Sequence, residues 1–295
     1  MKKSLFILMV FLISCTGDSP TEENPTNPPQ QNSFLPVHVK YTESTNTSSP
    51  YESDIIYDGN KITQIKNSIN NNVLYEFTYD GNNIIKIKSN QFDGFSTPQY
   101  YYLSYENDRL KRIIKSTPNS STDFDYYTNF DVTLEWISNT NVKYKVPFHS
   151  NVADDYTYYE LFFNDNGNLI KSTEDKKITT RYLTTNLYEY NSQVSSAFKN
   201  VAGFNKLNGI INLFLGIAKH YYSHVFPSEF MFTSNSLTNI DSNLKIYSNS
   251  GVLLQDSHLQ YSYDYEGNTN NFTKKFKTTS QPSNITTTIE YTYNN

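Results

Sequence analysis

Alternation of aromatic and polar residues is the most regular pattern in the chain, and it is clearest between residues 75 and 90. Tyr75, Phe77 and Tyr79 alternate with polar residues, which is the period of a strand with one buried face. The segment 80–83, Asp-Gly-Asn-Asn, has turn composition, because Gly and Asn accept the positive φ that tight hairpin turns require. Residues 84–88 then predict a returning strand, so the unit is a β-hairpin.

The same hairpin pattern recurs along the chain. An aromatic residue, a polar turn, an aliphatic residue and then Ile-Lys follow one another in a fixed order. The first three tyrosines stand 22 and 26 residues apart, a spacing typical of stacked supersecondary units. Because the elements recur together, the pattern predicts true repeats rather than the aromatic-turn-aliphatic order common to all-β proteins. The copies contain Tyr57, Tyr79, Tyr105 and Phe163, with worn copies at Tyr190, Tyr247 and Tyr265.

These units, of the form Tyr-Asp-x-x-Gly-x-Leu/Ile, resemble the YD repeats of RHS-type proteins. The whole arrangement is similar to the degenerate YD-repeat lipoproteins of unknown function found in Bacteroidetes-type bacteria. The likeness covers roughly residues 50–295, although several copies lack the Gly or the Asp. It implies an architecture of repeated hairpins, interrupted by an apolar insertion, and it implies no activity.

The fold class that the pattern predicts is all-β. Residues 259–265 and 287–293 alternate most cleanly, which indicates a sheet with one apolar and one polar face. Repeated antiparallel hairpins would form a long curled sheet, either an open barrel-like or a solenoid-like meander. The alternation stops between residues 195 and 232, where residues 208–221 predict one short helix, ended before Pro227. This helix is apolar nearly all round, so we expect it to be a buried plug.

The N-terminus has the composition of an export signal. Residues 1–14 combine a short basic start with an apolar run too short to span a bilayer, as in a secretory signal peptide. The run ends in Leu-Ile-Ser-Cys, which resembles a bacterial lipobox and implies lipid attachment at Cys15. Residues 15–33 would then be a lipidated Cys and a disordered, Pro-containing tether. Residues 34–295 would form a single β-repeat domain.

A lipid on Cys15 would make the membrane a partner of this chain. Several acyl chains on one residue give stable attachment. Thr16 follows the Cys at the position where an Asp would, by resemblance to the enterobacterial sorting rule, retain a lipoprotein at the inner membrane. We therefore expect an outer membrane lipoprotein, on either the periplasmic or the cell-surface face.

Charge and composition narrow the classes of partner and the sources of stability. The chain has 24 Lys and Arg against 29 Asp and Glu; without Lys2 and Lys3, 22 basic residues remain and the net charge is −7. This balance argues against a nucleic-acid partner, since binders of nucleic acid carry basic faces. The single Cys allows no disulfide within one chain. Stability must come from sheet pairing and from burial of the 26 Tyr and 19 Phe residues.

Three groups of residues are of types that can bind a metal ion or act as acid and base. Each group has a simpler interpretation as an ordinary feature of a loop, a turn or a helix end. They are His220, His224 and Glu229 as metal ligands, residues 164–168 as a calcium loop, and His149 with Asp154 and Asp155 as acid and base. The first group lacks the Glu of the zinc-protease motif, and the second lacks the closing bidentate Glu. The sequence therefore predicts no catalytic residue, no metal and no cofactor.

Adjacent tyrosines point to opposite faces of a strand, so one of each pair should be exposed. Exposed Tyr suits recognition of a glycan or a protein surface, because the ring is apolar and its tip is polar. The candidate binding residues are Tyr101, Tyr127 and Tyr158; the alternative is that such residues only stabilise the sheet. We expect an envelope-anchored, non-catalytic binding or interaction module that is not an enzyme. A structural scaffold or assembly partner, or a secreted hydrolase, are the alternatives.

Overall fold

Strands account for most of the chain that the structure, a computed structural model, describes. The described residues are 34–44, 51–90, 98–116, 130–147, 156–177, 180–207, 210, 234–280 and 285–294. They lie in the compact unit Ser33–Asn295. Among them, no helix has the length and apolar content needed to cross a bilayer. The signal peptide, Cys15, the tether and nearly all of the predicted helix at 208–221 lie outside the described residues.

Seventeen strands and one short 3-10 helix, Phe204–Leu207, make up the regular structure of the described residues. The strands are β1 (Pro36–Glu43), β2 (Tyr51–Asp58), β3 (Lys61–Asn67), β4 (Val73–Asp80), β5 (Asn83–Ser89), β6 (Gln99–Glu106), β7 (Arg109–Ser116), β8 (Phe130–Thr133), β9 (Glu135–Trp136), β10 (Asn141–Pro147), β11 (Tyr156–Phe163), β12 (Leu169–Lys177), β13 (Arg181–Ser195), β14 (Asn235–Tyr247), β15 (Leu253–Gly267), β16 (Thr273–Ser280) and β17 (Ile285–Tyr293).

Neighbouring strands pair antiparallel in chain order, and the sheet curls back on itself. The first strand pairs with both β2 and the last strand β17. At the far side, β8 pairs with β7 and β9 pairs with β10, with only Leu134 between β8 and β9. The result is a nearly closed, barrel-like sheet. The all-β, curled-hairpin prediction is thus confirmed, and of the two predicted geometries the barrel-like one is observed.

A β-bulge marks the same position in six hairpins. In each, the register shifts just before the turn, because the returning strand carries one residue more than its partner. The extra residues are Thr63, Ile85, Lys111, Ile170, Leu254 and Lys274. Bulges bend a strand and increase its twist, so their repetition helps the sheet to curl.

The turns of these hairpins use left-handed backbone, as the sequence predicts. Gly59 and Gly81 have φ of 61° and 54°. In the β6–β7 hairpin, Asn107 and Asp108 replace Gly and have φ of 50° and 62°, which Asn and Asp tolerate better than other residues. We call the end of the sheet that carries the β2–β3, β4–β5, β6–β7, β9–β10, β11–β12 and β15–β16 turns the turn end.

Aromatic side chains at the turn end tie five strands to the beginning of an earlier strand. The Tyr105 hydroxyl donates a hydrogen bond to the Ile84 carbonyl at 2.9 Å, across 21 residues of sequence. Four further donors make the same link over 20 to 26 residues: Tyr57 to Pro36, Trp136 to Leu110, Tyr190 to Leu169 and Tyr293 to Thr273. Because an aromatic residue recurs at this position, these bonds give the sequence repeat a structural meaning.

The two faces of the sheet differ in polarity, as the alternation predicts. Side chains on the inner face form one apolar core, whose least exposed members include Ile62, Ile84, Leu110, Ile113 and Leu161. The outer face carries ion pairs, among them Lys88–Glu76 at 2.6 Å and Lys275–Glu290 at 2.8 Å. The hydrogen bonds from these lysines hold the pKa of both glutamates below the usual range. The outward surface is therefore suited to water.

A short irregular segment between β13 and β14 fills the turn end. This plug segment comprises the described residues 196–207 and Ile210, of which Ala197, Phe198, Val201, Phe204, Leu207 and Ile210 are buried apolar residues. The Phe204 ring packs 6.0 Å from Phe77, and the Phe198 ring 5.9 Å from Tyr291. The Ala202 amide donates to the Asn60 carbonyl at 3.0 Å. The segment thus joins strands far apart in the sequence.

Candidate functional site

A cavity of about 370 Å³ opens at the turn end, where the plug segment meets three hairpin turns. It lies among the β6–β7, β9–β10 and β11–β12 turns. Its lining comprises Asp108, Arg109, Leu110, Trp136, Asn139, Thr140, Phe163, Asn164, Asp165, Gly167, Asn205, Lys206 and Ile210. We call this cavity the turn-end pocket. Its size is at the lower end of the roughly 300–1,000 Å³ typical of small-molecule sites.

Two aromatic rings form the apolar floor of the pocket. The Trp136 and Phe163 rings lie with their centroids 6.0 Å apart and their planes tilted by 31°. The indole Nε1 of Trp136 donates to the Leu110 carbonyl at 2.9 Å, which is the repeated link between hairpins. This bond fixes the ring and engages its only polar group. The Arg109 guanidinium lies over one face of this ring, so Trp136 can offer a ligand only the rest of its apolar surface, in a fixed orientation.

The rim of the pocket is polar, and its opposite charges balance. Arg109 lies with its guanidinium carbon 5.3 Å from the Trp136 ring centroid and donates from Nη2 to Asn139 Oδ1 at 2.5 Å. Lys206 forms an ion pair with Asp108 and donates to Asn83 Oδ1 at 2.7 Å. With the exposed Asp165, two basic and two acidic side chains line the site. Its local charge is close to zero.

The wall opposite Arg109 is the β11–β12 turn, whose shape is set by one amide. Asn164 Oδ1 accepts hydrogen bonds from the backbone amides of Asn166 and Asn168, at 3.1 and 3.0 Å. Gly167 completes the turn with φ of 75°. This is the segment considered as a calcium loop, and the structure shows the hairpin turn that the sequence favours. The turn holds Asp165 at the mouth of the pocket.

The structure describes two of the three tyrosines that the sequence singles out, and their side chains differ in exposure. Tyr158 is exposed as expected, at 44% of its surface. Tyr101 is 3% exposed and faces the core, so the expectation that its side chain lies on the surface is wrong. Its neighbour Tyr102 points outward instead and is 42% exposed. The reason is the phase of the alternation, since three consecutive tyrosines fit either face.

The remaining predicted site residues lie outside the described part of the chain. They are Cys15, Tyr127, the possible metal ligands His220, His224 and Glu229, and His149 with Asp154 and Asp155. Within the described ranges, no three His, Cys, Asp or Glu side chains lie together in a group that could hold a metal ion.

Sequence reasoning missed Trp136 and Arg109 as site residues. Trp136 stands in the repeat position that tyrosine occupies in other copies, directly before the Ile137–Asn141 turn. The chain contains only one Trp. A change of residue type at a repeated position was the available signal. Arg109 gave no such signal, because its contact with Asn139 joins residues 30 positions apart.

Comparison with known proteins identifies similar folds but no family. No protein-family model matches the chain. No curated protein sequence matches it. Among solved structures, a porin-like protein from Bacteroides vulgatus is similar with a TM-score of 0.52 and 9% identity, over 88% of this chain and 99% of that chain. Another porin-like protein, from Bacteroides uniformis, has a TM-score of 0.42 and 11% identity, over 88% and 98% of the two chains.

At these identities, the likeness to the Bacteroides vulgatus protein shows the fold alone. It agrees with the nearly closed antiparallel sheet described above. The resemblance to YD-repeat lipoproteins stays a prediction, as does the attachment of lipid.

Proposed function

We propose that this chain is an envelope-anchored, non-catalytic binding protein that holds its ligand in the turn-end pocket. The observation that carries the proposal is the pocket itself, in which a fixed aromatic floor lies under a polar, charge-balanced rim. A concave site that combines apolar surface with converging polar groups is suited to a small molecule, and here eight of the thirteen lining residues are polar. The binding residues are then Trp136, Phe163, Arg109, Asn139 and Asp165.

Membrane attachment in this proposal is through lipid on Cys15. The lipobox-like ending of the apolar run and the tether that follows it support this anchor. Charged residues of the outer face, such as Lys88 and Glu76, are suited to water, since Lys on a lipid-facing strand costs about 2–4 kcal/mol at the bilayer midplane. The fold that this chain shares with the Bacteroides vulgatus protein, which is named as porin-like, agrees with an envelope location for this chain. The proposed compartment is the outer membrane.

The proposal of a non-catalytic role, rather than a hydrolase, is supported by how the pocket uses its acidic groups. Asp108 is held by Lys206 and lies in a turn with left-handed backbone. Asp165 is exposed at the pocket mouth. A hydrolase would need an acid or a base held close to a reacting group, whereas both of these carboxylates are exposed to solvent.

The anchor is tested by Cys15→Ala. The full-length variant should lose its lipid and move from the detergent-extracted membrane fraction to the soluble fraction, or stay unprocessed. Cell fractionation with detection of the chain measures this, and Tyr158→Ala is the control, since it should stay in the membrane fraction. Equal partitioning of Cys15→Ala and the parent into detergent would show that the anchor assignment is wrong.

A second candidate function, an envelope assembly partner, is favoured by one surface. The tip of the β14–β15 hairpin exposes Val252, Leu253 and Leu254, at 60%, 48% and 62% of their surfaces. Adjacent exposed apolar residues are typical of contact sites. Analytical ultracentrifugation of the detergent-extracted protein distinguishes the two functions. If copies of the chain assemble, and if Leu254→Asp dissociates that assembly, the result favours an assembly role for the tip.

A further inference from the structure

This inference rests on the proposed function, in which the turn-end pocket binds a ligand. The chemistry of the pocket then indicates the class of that ligand. We infer that the ligand is an uncharged saccharide, with one sugar ring lying beside Arg109 against the parts of Trp136 and Phe163 that line the pocket. Three properties of the pocket lead to this assignment: its floor, its charge and its size.

The floor selects a ligand that has a flat apolar face. The indole of Trp136 is held by its bond to the Leu110 carbonyl, so the ring is already oriented before a ligand enters. A fixed aromatic surface loses little conformational freedom on binding. A pyranose presents C–H groups on one face and hydroxyls around its edge, which matches an aromatic floor with a polar rim. A fatty chain, which has no hydrogen-bonding groups, would leave the rim groups without partners.

The charges of the rim select against ionic ligands. Lys206 is already paired with Asp108, and Arg109 and Asp165 oppose each other in sign. A phosphate or carboxylate would meet no excess of positive charge, unlike the Arg clusters that recognise such groups. Hydroxyl groups both donate and accept hydrogen bonds. They suit a rim that offers guanidinium donors, carboxylate acceptors and the amides of Asn139, Asn164 and Asn205.

The volume limits how much of the saccharide is enclosed. A cavity of about 370 Å³ is small for an organic-ligand site. It fits one or two sugar rings, and a longer glycan would have to continue outside the pocket. Within the described part of the chain, one of the five N–H groups of Arg109 is committed, as a donor to Asn139. The remaining donors make Arg109 the residue we expect to contact the sugar hydroxyls.

The single Trp of the chain provides a direct measurement. Trp136 emission is excited selectively at the red edge of protein absorption in the detergent-extracted full-length protein. The titrants are neutral disaccharides (maltose, cellobiose, mannobiose and galactobiose), an acidic set (digalacturonate and sialyllactose), and inorganic phosphate, adenosine and dipeptides. We expect at least one neutral sugar to give a saturable change in emission, and the charged compounds to give none.

Two variants and one matched control locate the effect. Arg109→Ala should weaken binding of the neutral sugar about tenfold or more, as loss of two or so hydrogen bonds predicts. Asp165→Asn, on the exposed turn, should weaken it about threefold to tenfold without affecting the fold. The control Arg112→Ala removes an arginine of the same strand whose partner, Asp131, lies on the outer face; its affinity should equal that of the parent.

The outcomes separate the two proposals. A response to the acidic sugars or phosphate alone overturns the uncharged saccharide and keeps the pocket as a binding site. Equal weakening by Arg109→Ala and Arg112→Ala overturns it as well, because binding would not depend on the pocket. If no compound of any class changes Trp136 emission, both the saccharide and the proposed function of the pocket fail.

Discussion

At the scale of single residues, two glycines show how one residue type serves different purposes. Gly81 lies in the β4–β5 turn with φ of 54°, and a Cβ added there would have no heavy atom within 4 Å. Gly203 lies in the plug segment with φ of 76°, and its added Cβ would be 2.6 Å from the Asn82 carbonyl oxygen. Gly81 therefore serves a turn, whereas Gly203 also allows the plug segment to approach that turn closely.

The two glycines give a stability prediction with an internal control. Gly81→Ala should cost about 1–2 kcal/mol, the penalty of a Cβ in left-handed backbone. Gly203→Ala should cost clearly more, because the plug segment must also move away from β5. Urea unfolding of both variants, followed by far-UV circular dichroism, measures the difference. Equal midpoints would mean that the plug segment shifts freely and does not depend on close contact.

At the scale of secondary-structure elements, buried tyrosine hydroxyls connect the hairpins. Burial raises the pKa of Tyr57, Tyr105 and Tyr293 well above the ordinary value near 10. The unfolded chain releases these protons at about pH 10, whereas the folded chain retains them to higher pH. Stability from these groups is therefore complete below about pH 10 and is lost as the pH rises towards the folded-state pKa values.

This coupling predicts that the protein loses stability at alkaline pH, and that removal of one buried tyrosine hydroxyl changes this loss measurably. At neutral pH, Tyr105→Phe should cost about 1 kcal/mol, because the Ile84 carbonyl loses its donor. The same variant should lose less stability than the parent between about pH 9 and 11, since it has one titrating group fewer. Denaturant unfolding at several pH values measures both. Tyr102→Phe, at an exposed position, should behave like the parent; matching pH dependence in all three proteins would contradict the role of Tyr105.

Most of the strands and turns could be predicted from the sequence, because the signals for them are local. The strand period and the turn residues of each hairpin lie within about ten positions. The face of Tyr101 could not be fixed in this way, since a shift of one residue exchanges the two faces of a strand. The pocket could not be predicted either. It joins Arg109 to Asn139 and Lys206 to Asp108, pairs that are 30 and 98 residues apart in the chain.

At the scale of the whole molecule, the first strand closes the sheet. Strand β1 lies between β2 and β17. The strands β1 and β17, which are separated in sequence by nearly the whole domain, must therefore meet and pair. The closure extends to the chain ends: the Leu35 amide donates to Asn294 Oδ1 at 2.7 Å, and the Asn294 amide donates to the Leu35 carbonyl at 3.0 Å. Nothing in the local sequence indicates this pairing.

Two truncations test the closing role of β1. Removal of residues 1–33 should leave the unfolding midpoint unchanged, because β1 begins at Pro36. Removal of residues 1–43 exposes the edges of β2 and β17, and unpaired edges promote association between chains. This longer truncation should aggregate or unfold at a lower temperature, as measured by light scattering during a thermal scan. A monomer of unchanged melting temperature would show that β1 contributes little to the fold.

The position of β1 also determines when the sheet can close during synthesis of the chain. The ribosome makes this strand long before its partner β17, because residues 44–284 lie between the two strands. Contacts so distant in sequence form slowly, because a long loop must close before they contribute. A chain threaded through a translocation channel from its N-terminus therefore cannot complete its sheet until the last strand has emerged. In the proposed route of export, the molecule would therefore close its sheet only after the passage is over.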